Sequence, residues 1–296
     1  MAIAYSAAKE DLYYPARRAA FFPDGRPKSD AALCVEMARL AYARQEPHFA
    51  FDRQRILTVL ASVGFSDCQF FEKPIGPQGH GSHGFLAIDS AEKRALLAFR
   101  GTDKDDPTDL MDDANAIPEA WSGGGKVHSG FAKALADIWD QVTRALQTSA
   151  RRRLLFTGHS LGAAMATLAA SLNPPASLYT FGSPRVGDAD FVTALQKKQL
   201  DNHRYVDCCD LVARLPPDGF FGYVHSGKPY YIDLERKIQQ RDAEDPYIAE
   251  DQIKAEEQYV EKFAWRIGDV ALRPLADHAP VNYVWPVSAA EISNQK

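Results

Sequence analysis

The stretch LLFTGHSLGAAMATLAA, residues 154–170, decides the fold. An apolar run, RLLFT, leads into Gly158, His159, Ser160, Leu161 and Gly162, and an alanine-rich run follows. The first run has the character of a buried strand and the second that of a helix packed closely on a sheet. G-x-S-x-G by itself is weak, because at ordinary Gly and Ser frequencies roughly one chain in ten of this length would carry it by chance. Between a strand and a helix it reads as a nucleophile elbow, a sharp turn that lifts a serine hydroxyl to the mouth of a sheet. Gly158 and Gly162 permit the turn, Ala163 and Ala164 allow the helix to approach, and the helix N-terminus favours developing negative charge at Ser160.

Working outward, strand-like and helix-like segments alternate from about residue 30 to residue 215. Residues 29–44 open on a Ser/Asp cap and continue with apolar residues at helical spacing, predicting a helix over about 30–44. Residues 51–65 predict a second helix, capped by Asp52 and stopped by Gly64. CQFFEK, GFLAID and RALLAFRG follow as strands, then a long amphipathic helix over 129–150 and the elbow itself. ASLYTFGSP and HRYVDCCD supply two further buried strands, with DADFVTALQKK helical between them. This alternation predicts an α/β fold, a mostly parallel central sheet flanked by helices, within a single domain over 1–296, and the strand–elbow–helix at Ser160 is what an α/β-hydrolase fold requires. Residues 234–265 are highly charged and read as a largely helical excursion, open to two readings: a cap over the site or a solvated surface helix.

The chain has 296 residues, formal net charge −5, 46% hydrophobic and 25% charged residues. An acidic balance of this kind offers no basic field for nucleic acid. The basic cluster 151–153 marks the solvated start of a strand. Leu154 to Pro184 lacks charged residues, but GHS and NPP break it into pieces too short to span a bilayer. The first residues show neither a basic n-region nor a long apolar core, so a cytoplasmic location is expected unless an export signal was removed. Cys34, Cys68, Cys208 and Cys209 lack metal-ligand spacing; the adjacent pair reads as small buried apolar residues in a reduced protein.

A serine nucleophile needs a histidine base and a carboxylate to orient it, in the chain order Ser, acid, His for this fold class. In HRYVDCCDLVARLPP, Asp210 sits where the strand runs into a Pro-rich loop, whereas Asp207 is still within the strand. His225, in a run alternating like a hairpin strand, and His278, in a loop before an aromatic stretch, both follow; the loop setting favours His278. His159, inside the elbow, is expected to point away from the reacting centre.

Together these motifs resemble the class 3 (fungal-type) lipase family. GHSLG matches its elbow, LLAFRGT its oxyanion strand and turn, KVHSGF its V-H-x-G-F segment, YTFGSPRVGD its F-G-x-P-R-V-G block, VDCCDLVARLPP its acid loop and DHAPVNY its terminal histidine segment. The resemblance implies Ser160 as nucleophile, Asp210 as acid and His278 as base, resolving the choice against His225. It also implies Thr102 and the Leu161 N–H as oxyanion donors, with His128 and Arg185 structural. Ala213 stands where the family often has proline.

The implied activity is hydrolysis of carboxylic esters of lipids, without metal or organic cofactor. The partners are a lipid or other ester and, transiently, a lipid interface. A short-chain, aryl or polyester esterase, a phospholipase A1 or a non-catalytic hydrolase-fold binder are the alternatives. The family's lid falls at residues 103–125, here rich in aspartate, with Leu110, Met111, Ile117 and Trp121 as its large apolar residues and Gly123 to Gly125 as a flexible end. Phe131, Leu161, Leu215, Phe220 and Phe221 are candidate groove residues.

Overall fold

The computed structural model describes residues 4–18, 20–45, 50–73, 81–102, 117–149, 151–217 and 219–293, with side chains to 290. In chain order these form α1 (Lys9–Tyr13), α2 (Asp30–Leu40), α3 (Arg53–Ser62), β1 (Asp67–Lys73), β2 (Ser82–Asp89), β3 (Arg94–Phe99), β4 (Pro118–Ala120) and β5 (Lys126–His128). There follow α4 (Ser129–Thr148), β6 (Arg153–His159), α5 (Leu161–Leu172), β7 (Ser177–Phe181), β8 (Gly187–Asp188), α6 (Ala189–Gln196) and β9 (Asp201–Asp207). The last elements are β10 (Tyr223–Val224), β11 (Lys228–Ile232), β12 (Ile238–Gln239), α7 (Pro246–Lys262), α8 (Arg273–Ala276) and α9 (Pro280–Ser293).

The main sheet runs β1-β2-β3-β6-β7-β9-β11-β12, parallel from β3 through β11 and antiparallel at both ends. Its central strands are apolar on both faces because helices cover both. On β3, Leu96 and Ala98 pack with α2, α3 and α9, while Leu97 and Phe99 face α4, α5 and α6. The result is a three-layer α/β sandwich. Along α4, the buried positions Phe131, Leu135, Ile138, Val142 and Leu146 recur every three or four residues, which places one stripe on the sheet and leaves the rest to solvent. Each such large side chain contributes about 1.5–3 kcal/mol by leaving water.

Ser29 caps α2 by accepting from the Ala32 N–H at 3.1 Å, and Asp52 caps α3 through the Arg55 N–H at 3.1 Å. The α2 helix ends at Leu40 rather than near Arg44, because the Tyr42 and Ala43 N–H groups tighten onto Arg39 and Leu40 as a turn. Arg153 opens β6 beside Asp30, at 2.5 Å.

Three expectations change. The run 222–232 is not one hairpin strand: β10 pairs with β8 in a smaller four-stranded sheet, whereas β11 pairs in parallel with β9. Gly227, at φ +87°, lies between the two. Residues 234–265 contain β12 and a turn before α7, so only the second part is helical. Gly123 to Gly125 form the turn of the β4–β5 hairpin, pinned by a Trp121 Nε1–H bond to Ser171 Oγ at 2.8 Å, and so are not a flexible end. Leu110 and Met111 lie outside the described residues, as does the lid reading over 103–116.

Candidate active site

β6 delivers the chain to Ser160 and α5 departs from it. Ser160 has φ 59° and ψ −130°, a region that a non-glycine residue occupies at a cost of about 1–3 kcal/mol and that the surroundings must enforce. They do so by close approach. A Cβ on Gly158 would lie 2.2 Å from the Gly162 carbonyl oxygen, and one on Gly162 would lie 2.3 Å from that of Phe99. Helix α5 therefore enters directly beside β6 and β3, with the Ser160 N–H tied to the Phe181 carbonyl at 3.1 Å.

The hydroxyl of Ser160 meets His278 Nε2 at 2.9 Å, and His278 Nδ1 meets Asp210 Oδ2 at 2.9 Å and Oδ1 at 3.0 Å. All three side chains are buried. Asp210 also accepts the Val212 N–H at 2.9 Å and the Tyr283 hydroxyl at 2.5 Å. Burial pushes the Asp210 carboxyl upward, but His278, the Tyr283 hydroxyl and His159 outweigh it, so the group stays ionised below its ordinary range. An Nδ1–H donated to a carboxylate leaves the Nε2 lone pair of His278 facing Ser160, the arrangement a general base requires.

Three supporting residues carried no role in the sequence reading. Gly182, at φ +56°, has no side chain because a Cβ there would lie 2.7 Å from Asp210 Oδ2 and 3.1 Å from His278 Nδ1. The glycine of the FGSP motif was a legible signal for it. Tyr283 bridges Asp210 and the Asp207 N–H, the latter at 3.1 Å. Tyr42 donates to His159 Nδ1 at 2.8 Å. In turn His159 donates from Nε2 to the His278 carbonyl at 2.8 Å, and its ring lies 4.5 Å from that of His278. Rather than pointing away from this centre, His159 braces the His278 backbone. Burial, reinforced by His278, holds its imidazole neutral.

Thr102 follows the end of β3, the strand paired with β6, and its hydroxyl oxygen is buried without a hydrogen-bond partner among the described residues. The Leu161 N–H opens α5, where the first amides have no intrahelical acceptor. His128 caps α4 through the Gly130 N–H and stacks on Phe131 at 4.0 Å. Arg185 donates to the Arg214 and Pro216 carbonyls at 2.6 and 2.7 Å, which fixes the acid loop with Ala213 at its single 3₁₀ turn.

The groove residues separate. Phe131 is 4% exposed and belongs to the core beneath α4, a correction whose reason is its place on that helix's buried stripe. Leu215 is buried in the acid loop and Leu161 is half-buried. Phe220 and Phe221 pack edge-to-face at 4.5 Å, with Phe221 exposed.

His225 lies behind the acid loop, donating from Nε2 to the Ala213 carbonyl at 2.8 Å. Asp207 pairs with Arg236 at 2.6 Å. Among the described residues, Cys208, Cys209 and Asp277 bring metal-ligating atoms within 4.8 Å of one another. However, Asp277 is taken by the Tyr5 hydroxyl at 2.7 Å, the Cys209 N–H at 3.0 Å and Arg273 Nε at 3.0 Å. The contact with the Cys209 side chain, and then burial, push the Cys208 thiol up. The trio reads as structural.

Residues 96–220 match the family model described as "Lipase (class 3)". Residues 96–220 belong to the class 3 lipase family. The match contains Thr102, Ser160 and Asp210; His278 lies beyond it. A secreted mono- and diacylglycerol lipase of Fusarium solani is 33% identical over 165 residues, 50% of this chain and 47% of the relative. One of Penicillium cyclopium is 34% identical over 168 residues, 50% and 51% of the two chains. The chain thus spans about half the length of the lipases it matches.

The solved structure of Rhizomucor miehei triacylglyceride lipase superposes with TM-score 0.59 over 88% of this chain and 99% of its own, at 20% identity, and so shares the α/β-hydrolase fold. The cytoplasmic expectation is corrected by the Fusarium and Penicillium relatives, whose names as secreted lipases point to an extracellular location. A chain's destination is set by sorting signals, whereas burial of a core and a catalytic cluster leaves no mark of compartment. All four cysteines are free thiols. Among the described residues no helix is long and apolar enough to cross a membrane.

Proposed function

We propose that this chain hydrolyses carboxylic esters of acyl lipids through an acyl-enzyme, with Ser160 as nucleophile, His278 as base and Asp210 as its orienting acid. The observation that carries the reading is the unbroken hydrogen-bonded series from Ser160 through His278 to Asp210, raised on a strained elbow at a helix N-terminus. His278 Nε2 takes the hydroxyl proton as Ser160 Oγ bonds to the ester carbonyl carbon. The same proton passes to the leaving alcohol as the C–O bond breaks. A water deprotonated by His278 then attacks the acyl carbon, releasing the carboxylic acid and restoring Ser160.

Developing charge on the carbonyl oxygen falls to the Thr102 hydroxyl and the Leu161 N–H. The unpartnered state of the Thr102 oxygen supports this role, since a donor held ready for an oxyanion has no partner in the resting site. Acyl lipids as substrate class follow from the family of residues 96–220, and partial glycerides from the names of the Fusarium and Penicillium relatives. Transient contact with a lipid surface is part of the same proposal.

The test is a series of initial rates on p-nitrophenyl esters from short to long acyl chains, beside emulsified mono- and diacylglycerol. Ser160→Ala is expected to lose about 10⁴–10⁶ in kcat and all labelling by a fluorophosphonate. Thr102→Val is expected to lose about 10²–10³ in kcat with KM nearly unchanged, and Thr102→Ser to recover most of it. Turnover surviving in Ser160→Ala refutes the nucleophile. Turnover confined to short soluble esters refutes the lipid reading and leaves an esterase.

A further inference from the structure

Behind the acid loop, on the face of β9 and β11 that carries Arg204, Val206, Pro229 and Tyr231, there is a cavity of about 300 Å³. Arg204 lines it and is 9% exposed. Its Nε is buried with no hydrogen-bond partner, and no carboxylate pairs with its guanidinium among the described residues. Burial, and next the neighbouring Arg185, lower its pKa to about 10, the mark of a buried cation lacking a counter-charge. Arg185, Arg214, Arg241 and His225 also line the space. Of these, Arg241 is matched by Asp245 at 2.6 Å, and Arg185 already donates to the Arg214 and Pro216 carbonyls, so Arg204 is the lining cation whose Nε stands open. Among the described residues one carboxylate, Asp210, reaches the lining, and it is committed to His278 and Tyr283.

We propose that this cavity binds a small oxyanion of the phosphate class, with Arg204 as the principal ligand and Arg185 beside it. The planar fork of a guanidinium suits two oxygens of such an ion. The two guanidinium groups come from β9 and from the turn after β7. The volume holds one such ion together with water. This site is separate from the ester-cleaving centre and independent of that reading. It does touch the centre's support, since His225 and Arg185 hold the Ala213, Arg214 and Pro216 carbonyls of the acid loop.

The test is calorimetric titration of the full chain with inorganic phosphate at low ionic strength, and in parallel with glycerol 3-phosphate. One saturable site is expected, weakened roughly 10- to 100-fold in Arg204→Gln. Ala243→Glu, at an exposed position on the cavity wall, leaves the buried residues in place and should weaken binding by a similar factor through its negative charge. Binding unchanged in Ser160→Ala separates this site from the ester centre. Equal binding of glycerol 3-phosphate assigns the site to a phosphorylated headgroup and its exclusion to the free ion; either outcome supports the oxyanion site. Absence of saturable binding in the wild type, or binding indifferent to Ala243→Glu, overturns it.

Discussion

Gly182→Ala tests most directly whether the Asp210–His278 contact governs turnover. The new methyl would stand 2.7 Å from Asp210 Oδ2, where ordinary contact begins at 3.4 Å, so the carboxylate oxygen must give way by about 0.7 Å. That displacement would stretch the 2.9 Å contact between Oδ2 and His278 Nδ1 and leave the ring held through Oδ1, now at 3.0 Å. A base whose orienting carboxylate is shifted by this much loses on the order of 10² in kcat/KM, with about 10⁴ as the limit when the acid's role is lost outright. The backbone contributes separately, because alanine at φ +56° costs about 1 kcal/mol whatever surrounds it, a fall of about 2–4 °C in Tm.

Gly25→Ala isolates that second effect. Gly25 has φ +81°, and a methyl placed there would find nothing within 4 Å, so the variant should lose similar stability and no activity. The assay is kcat/KM on p-nitrophenyl butyrate with thermal unfolding of both variants. Wild-type kcat/KM in Gly182→Ala, with the Tm fall matching Gly25→Ala, would refute the reasoning.

Stability is expected to fall steeply below pH 6.5. Burial holds His83, His159 and His225 neutral, lowering His83 to about 3 and the other two well below their ordinary range. A depressed base binds fewer protons folded than unfolded, so its stabilisation is complete above the unfolded value and is lost as pH falls from about 6.5. Burial raises the Asp207 carboxyl to about 7, which acts with the opposite sign and offsets one of the three. Two net protons give a slope of about 3 kcal/mol per pH unit, read as falling urea midpoints between pH 7 and pH 5; a flat midpoint would contradict it. Tyr283→Phe should lower kcat by about 10- to 100-fold and move the acid limb of the pH–rate profile upward, because Asp210 loses a donor that favours its ionised form. An unmoved acid limb would reduce Tyr283 to packing.

What could be read from the sequence was local or ordered along the chain. Ser160 is announced by two glycines whose absent methyls are both needed within 2.3 Å of backbone. Asp210 was separable from Asp207 because only the former follows the end of β9. Residues acting across the fold left no such pattern. Tyr42 reaches His159 over 117 positions, and Tyr283 reaches Asp210 over 73. Phe131 is a different kind of miss: its spacing with Leu135, Ile138 and Val142 already placed it on the buried stripe, and the motif beside it drew the reading toward a groove. His225 was a sound candidate by chain order. It fails as a base because the alternating run around it divides between two sheets, leaving it against the back of the acid loop.

The position of His278, the proposed base, depends on parts of the chain outside the family match. His278 sits between α8 and α9, and both of its flanks are gripped by buried polar groups. On one side Asp277 accepts from Arg273, from the Cys209 N–H and from the Tyr5 hydroxyl. On the other, Asn282 exchanges two hydrogen bonds with the backbone of Ser6, at 2.8 and 2.9 Å. Removing one partner from such a buried charged pair typically costs about 3–5 kcal/mol, far more than the net worth of the pair, so these contacts fix position more than they add stability. The Cys209 N–H belongs to the strand end that carries Asp210, and the Leu211 N–H meets the Pro274 carbonyl at 3.1 Å. Acid and base are therefore registered by direct ties between their two loops, with the first described residues of the chain closing the clamp. Residues 96–220 present Ser160 and Asp210, but His278, the third member of the proposed triad, is placed by residues 4–11 and 273–283, and substitutions there should alter turnover while leaving the matched motifs untouched.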